Sequence, residues 1–178
     1  MNDDWESLSQ ARSGSEDAWN QLIHRHAQRL YNLAVMITRS SSTANDVVQE
    51  TYLRLINSRQ RHEHGSFKSY LSQITYHLAL KEVKRVSRHS DLDNHEFQDD
   101  RTSPMEELIH GDRQKFITRG MKRLSMKHRN IIALRFFGGL SYAEIAMTTN
   151  SPLGTVKSTL FYAVRALRKT LIDMGAFE

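Results

Sequence analysis

The sequence predicts an all-α protein built from two small helical domains joined by a flexible acidic linker. Three observations carry that expectation. Apolar residues recur at three- and four-residue spacing, with little of the alternation that marks strands. The chain has only two prolines, Pro104 and Pro152, and each follows a serine at a candidate helix start. Charge is also segregated along the chain. Residues 1–90 hold 12 Lys/Arg and 9 Asp/Glu (+3), residues 91–112 hold one Arg and eight acids (−7), and residues 113–178 hold 12 Lys/Arg and three acids (+9). The expected division is an N-terminal domain at 1–90, a linker at 91–104 and a C-terminal domain at 105–178.

The opening stretch, MNDDWESLSQ, is acidic and lacks the basic and apolar regions of a secretory signal. Ser15-Glu16-Asp17 then starts a helix, with acids in the first turn where the macrodipole favours them. Leu22, Ile23, Leu30, Leu33, Ala34 and Ile37 give that helix its apolar stripe. The serines and threonine at 40–43 break it. A second helix is expected over 44–56, burying Val47, Val48, Tyr52 and Leu55 and leaving Asp46, Gln49, Glu50 and Arg54 on a polar face. A loop at 57–66 leads to a third helix over about 66–88, with Phe67, Leu71, Ile74, Leu78 and Val83 inward. The third helix ends in the basic run KEVKRVSR.

The linker is polar and lacks helical periodicity before Ser103, where Ser103-Pro104 with Glu106 restarts a helix. Gly138-Gly139 reads as a helix C-cap before a turn. Two helices follow. SYAEIA at 141–146 opens with Ser141 and Glu144 at capping-box spacing, and the longer pattern at 151–169 opens with Ser151 as N-cap before Pro152. A short helix, a turn and a longer basic helix make a helix-turn-helix, which lays one helix across a duplex backbone and the other in the major groove. In the longer helix Val156, Leu160, Ala163 and Leu167 form the inner stripe, and Ser158, Phe161, Tyr162, Arg165 and Lys169 fall on the opposite face.

Several function classes are set aside on composition. With no cysteine, neither a disulfide framework nor a thiolate metal site is possible. No apolar run approaches the roughly 20 residues needed to span a bilayer. A cytoplasmic location is therefore expected. Nine histidines invite a metalloenzyme reading, but His24 and His26, two apart on a helix, do not face each other. The loop triplet His62-Glu63-His64 would need further ligands. No phosphate-cradling glycine loop occurs. No catalytic constellation, cofactor or small-molecule substrate is expected. The basic C-terminal block beside a helix-turn-helix instead has the electrostatic footprint of a nucleic-acid binder. The third helix interleaves Tyr70, Tyr76 and His77 with cations, a pattern able to stack on unpaired bases while tracking phosphates.

With these motifs in view, the chain from about 15 to 171 resembles the bacterial sigma factors, and its two-domain size is similar to that of the extracytoplasmic-function group. ANDVVQETYLRLI resembles their polymerase-binding helix, and FKSYLSQITYHLALKEVKR their promoter-melting helix. The segment from LSMKHRN to RALRK resembles their promoter-reading domain. The resemblance implies core RNA polymerase as partner, through its beta-prime clamp helices and beta flap, together with promoter DNA. It implies an anti-sigma protein as well, which could hold the factor at the inner membrane.

Residue by residue, the resemblance assigns Asp46, Gln49, Glu50 and Arg54 to polymerase binding. It assigns Arg61, Lys68, Tyr70, Gln73, Tyr76, His77, Lys81, Lys84, Arg85 and Arg88 to minus-ten DNA, where a flipped base is captured. Ser141, Thr155, Lys157, Ser158, Thr159, Phe161, Tyr162 and Arg165 go to the minus-thirty-five element. The acidic linker would lie in the polymerase channel otherwise taken by nucleic acid. The chain departs from the family's pattern at Tyr70, His77 and Lys81, where Trp, Asn and Asp are usual, and at Thr159 and Tyr162, where Arg is common. An unusual or shallow minus-thirty-five preference follows from those losses. The alternative function is a helix-turn-helix regulator that acts without docking on polymerase.

Overall fold

The structure is a computed structural model, describing residues 4–58, 66–90 and 112–176. Among these residues there are eight α-helices and no strands. The linker at 91–104, the Ser103-Pro104 helix start and Arg61 with the His62-Glu63-His64 triplet lie outside the described residues.

Helix α1 (Asp4–Arg12) was not anticipated. Its apolar positions are only Trp5, Leu8 and Ala11, at three-residue spacing, and all three pack on one cluster with Leu22, Leu30, Tyr52, Leu55, Phe67 and Leu71. Helix α2 (Glu16–Thr38) starts where Ser15 accepts from the Ala18 amide, as its cap chemistry demands. It ends at Arg39, which holds φ 61 in the left-handed region. Helix α3 (Ser41–Asn57) begins earlier than the sequence suggests. Ser40 caps the Thr43 amide, so the hydroxyl run from Ser41 forms the first turn rather than a break. Helix α4 is Phe67–Ser90, with the Ser66 hydroxyl accepting from the Ser69 amide.

Helix α5 (Asp112–Lys122) leads to α6 (Met126–Ile132), capped by Ser125. Helix α6 widens at Ala133–Phe137 into a π-helical turn. The exit follows the anticipated glycine cap: the Leu140 amide donates to the Leu134 carbonyl at 3.1 Å. A Cβ on Gly138 would stand 2.8 Å from that carbonyl, and Gly139 turns at φ 70. Helices α7 (Tyr142–Thr149) and α8 (Leu153–Asp173) complete the fold. The Ser141–Glu144 capping box is formed in both directions, at 3.2 and 2.7 Å. Ser151 is not the cap of α8: Pro152 occupies that position in extended backbone, and the Ser151 hydroxyl donates to the Thr149 carbonyl instead.

The two helical modules are packed together. One apolar cluster runs from Leu33, Ala34 and Ile37 of α2 through Tyr76, Leu78 and Ala79 of α4 to Met121, Ile132, Leu134, Leu140, Ile145 and Val156. Leu134 is fully buried at the middle of this cluster. Leu134→Ala is expected to cost about 3 kcal/mol by chemical denaturation, combining lost burial with a cavity the helices cannot collapse.

Candidate nucleic-acid and protein interfaces

On α3, Asp46, Gln49 and Arg54 are exposed and Glu50 is half-buried. Asp46, Glu50 and Arg54 rim a groove of about 370 Å³ between α3 and α4, floored by Val47 and Leu78 and closed by Lys81, Glu82 and Arg85, and Gln49 lies outside it. Arg54 Nε donates to Glu50 Oε1 at 2.9 Å, and Arg85 Nε to Glu82 Oε2 at 2.8 Å. Such exposed pairs add little stability and can be exchanged for a partner's charges. Sequence reasoning missed Leu53 and Ile56, which expose 54% and 44% of their surface on the same helix. Their spacing from Gln49 (i+4 and i+7) puts an apolar strip along the polar face, a signal present in the sequence had unburied apolar positions been sought.

Along α4, Gln73, His77, Lys81, Lys84 and Arg88 follow one helical stripe, half-buried at Gln73 and exposed thereafter. Partial burial lowers the His77 pKa, which favours its neutral form. Tyr70, at the head of the stripe, is half-buried: its hydroxyl donates to Ser58 Oγ at 3.3 Å and its ring lies 5.6 Å from that of Trp5. Tyr76 departs from the sequence reading. It projects from the other side of α4 and is buried against the second module, where burial raises its pKa and the adjacent Asn130 opposes the shift. Tyr76 roofs a cavity of about 130 Å³ lined by Asn130, Ile131, Ser151, Thr155 and Thr159. In this arrangement Tyr76 is withheld from DNA.

On α8, Lys157, Ser158, Phe161, Tyr162 and Arg165 are exposed, as are Ser141 and Thr155. Phe161 and Tyr162 leave 57% and 59% of their surface in solvent. Their rings meet edge to face at 5.4 Å, and the Arg165 guanidinium lies 5.6 Å from the Phe161 centroid. Thr159 is a correction. It falls between Val156 and Ala163 on the inner stripe and is buried, so it cannot reach a base from this packing.

The seat between the modules is polar at its centre. Arg29 Nη1 reaches the Gly138 carbonyl at 3.0 Å and Ser72 Oγ at 2.8 Å, and Ser72 Oγ lies 2.9 Å from the same carbonyl. Burial lowers the Arg29 pKa to about 10, so it stays charged at neutral pH. Its Nη2 donates to His26 Nδ1 at 3.1 Å, and His26 Nε2 meets Asp4 Oδ2 at 2.9 Å. Glu144 sits nearby. Partial burial raises its pKa, but hydrogen bonds from Ser69 and Ser141 and the charge of Lys68 outweigh that and hold the carboxyl below its usual value.

His26 is neutral here. Burial and the charges of Arg29, Arg25 and Lys68 push its pKa down to about 4, against the pull of Asp4. A proton on Nδ1 would face the donating guanidinium. The folded protein therefore takes up this proton later than the unfolded chain does. As pH falls from about 6.5 towards about 4, stability should drop by about 1 kcal/mol per unit. Denaturant midpoints for the parent and for His26→Gln check this, with the shallower slope expected in the variant.

Among the described residues no three metal-ligating side chains converge, and no helix is long and apolar enough to cross a membrane. The sequence profile of Sigma-70 region 2 matches residues 22–89, and that of Sigma-70, region 4 matches residues 120–169. The ECF RNA polymerase sigma factor SigL of Mycobacterium tuberculosis H37Rv is 31% identical over 177 residues, covering 94% of this chain and 97% of SigL. The chain belongs to the ECF sigma factors of the sigma-70 family. It binds core RNA polymerase and directs transcription initiation at promoters. Its relative SigE of Mycolicibacterium smegmatis is 32% identical over 162 residues, and the alignment covers 86% of this factor but 62% of SigE. Solved structures share the fold: RpoE in complex with the anti-sigma factor NepR from Bartonella quintana (TM-score 0.68, 20% identity, 86% of this chain and 96% of that one) and CnrH in complex with the cytosolic domain of CnrY (TM-score 0.68, 21% identity, 96% and 97%).

Proposed function

We propose that this sigma factor divides its work among three exposed helix faces. The N-terminal domain at 1–90 docks on the beta-prime clamp helices of core polymerase with Asp46, Gln49, Glu50 and Arg54, and Leu53 and Ile56 add apolar contact. The basic stripe of α4, from Gln73 to Arg88, follows the minus-ten strand, with Tyr70 at its head for an unpaired base. The C-terminal domain at 105–178 engages the beta flap and reads the minus-thirty-five element with Ser158, Phe161, Tyr162 and Arg165, while Lys157 and Thr155 hold phosphates. The factor supplies binding and positioning, and the bond-making chemistry belongs to the polymerase. It works in the cytoplasm and is restrained by an anti-sigma protein, as RpoE and CnrH were captured with NepR and CnrY.

The observation that carries this reading is the aromatic and basic outer face of α8 beside a separate charged groove on α3 and α4. Fluorescence anisotropy on labelled promoter duplex tests it. The free chain should bind weakly with strong salt dependence, and adding core polymerase should produce tight, sequence-specific binding. Tight specific binding by the free chain, unchanged by core enzyme, would identify a stand-alone regulator instead.

A further inference from the structure

Arg129 carries a charge with too few partners. It is buried, with 7% of its surface exposed. Its Nη1 donates to the Leu124 carbonyl at 3.2 Å, but its Nε has no acceptor among the described residues. A guanidinium does not shed its proton at neutral pH, so the buried charge has to be compensated from outside the side chain. A second guanidinium adds to the cost. Burial and the like charge of Arg39 both push the Arg129 pKa down.

Arg39 and Arg129 line one small cavity, of about 20 Å³. Arg39 closes α2 and is half-buried, and Arg129 lies on α6. Lys122 of α5 is a third cation on the wall, and the buried Thr118 brings a hydroxyl. The remaining wall is apolar, with Val35 and Met121 in it. No carboxylate is among the described residues that line this space. Arg39 also stands at φ 61, where glycine fits more easily, so the turn itself does not call for a cation there.

Size, charge and wall chemistry together narrow the occupant. A water molecule needs about 10–15 Å³ of such volume. A single atom of similar size fits, and a tetrahedral phosphate or sulfate does not. Three converging cations require that atom to be an anion. The apolar wall favours an ion that gives up its hydration shell readily, which selects chloride or bromide over fluoride.

We propose that the cavity between the end of α2 and helices α5 and α6 is a halide site, in which one chloride accepts from Arg129 Nε and is held by Arg39, Lys122 and the Thr118 hydroxyl. The ion bridges α2 to α5 and α6, so chloride stabilises their contact by mass action, and parting them releases it. The salt response of this factor then has an ion-specific part, apart from the screening and counterion release that any salt produces. The site does not rest on the polymerase reading.

Chlorine NMR on the full chain tests this, because exchange with a protein site broadens the chloride signal. The parent should broaden it. Bromide should displace the effect, and fluoride or inorganic phosphate at the same ionic strength should not. Arg39→Gly suits the backbone at φ 61 and removes one cation. It should weaken chloride binding by about tenfold, the size of one lost charge-assisted contact. Arg129→Met, which puts an apolar side chain in place of the buried cation, should abolish the broadening. Arg39→Gly decides the matter if Arg129→Met fails to fold. At constant ionic strength, replacing fluoride by chloride should favour the folded parent over folded Arg39→Gly in thermal unfolding. No broadening by the parent overturns the site, since water then fills the space. Broadening that survives unchanged in both variants marks an adventitious ion on exposed cations and overturns it too. So do phosphate displacement as effective as bromide's, which marks an open cationic patch, and identical thermal responses of parent and Arg39→Gly.

Discussion

Alanine at Asp46, Gln49 and Glu50 together is expected to lower affinity for core polymerase by about 100-fold or more and leave the fold intact. Two carboxylates and an amide leave one helix face. A hydrogen bond to a charged group contributes about 1.5–3 kcal/mol when an interface desolvates it, and 1.4 kcal/mol is a factor of ten. The folded state loses little. Asp46 and Gln49 are exposed and Glu50 half-buried, and alanine is the best helix former. The one ion pair removed, Glu50 with Arg54, contributes a few tenths of a kcal/mol. Titration of labelled chain with core enzyme gives the first number and thermal unfolding the second. Unchanged core affinity would remove α3 from the docking surface.

Phe161→Ala with Tyr162→Ala should flatten promoter choice and leave polymerase binding alone. Both rings stand mostly in solvent, so the fold does not depend on them. They present large apolar edges to the groove, where contact with a thymine methyl or a base edge discriminates by about 1–3 kcal/mol. Phe161 also supports the Arg165 guanidinium, which loses its platform when the ring goes. Initiation from the best promoter should fall by about 10- to 100-fold, and initiation from variants of the minus-thirty-five element should fall less. Abortive-initiation assays over a panel of such variants measure the spread. A panel that falls by one uniform factor would mean that these rings touch backbone rather than bases.

The long, strongly amphipathic helices were legible in the sequence because their burial is written at helical spacing. Helix α8 is the clearest case: Val156, Leu160 and Ala163 fix its inner side, so the exposure of Ser158, Phe161, Tyr162 and Arg165 follows. The same wheel, applied strictly, places Thr159 inside, and only the family pattern had put it among the contacts. Helix α1 was illegible because its few apolar residues sit among acids and serines. Its helicity comes from docking Trp5 and Leu8 onto α2 and α4 rather than from intrinsic propensity. The seat between modules was illegible for a different reason. Arg29 and Gly138 are 109 positions apart, and neither periodicity nor capping chemistry records a contact of that range. Leu33, Ala34 and Ile37 read as the core of their own domain, yet they belong to a cluster that also packs the second. Tyr76 was misplaced by the same blindness: an aromatic among cations looks like a base-stacking group until the partner surface is known.

The central claim is that this chain tells polymerase where to begin. Mapping the 5′ ends of transcripts made in vitro from genomic fragments, by core enzyme with and without the purified chain, tests that most directly. The account predicts a discrete set of start sites found only with the chain, each preceded by the same pair of short sequence elements at fixed spacing. Identical 5′ ends with and without the chain would contradict it.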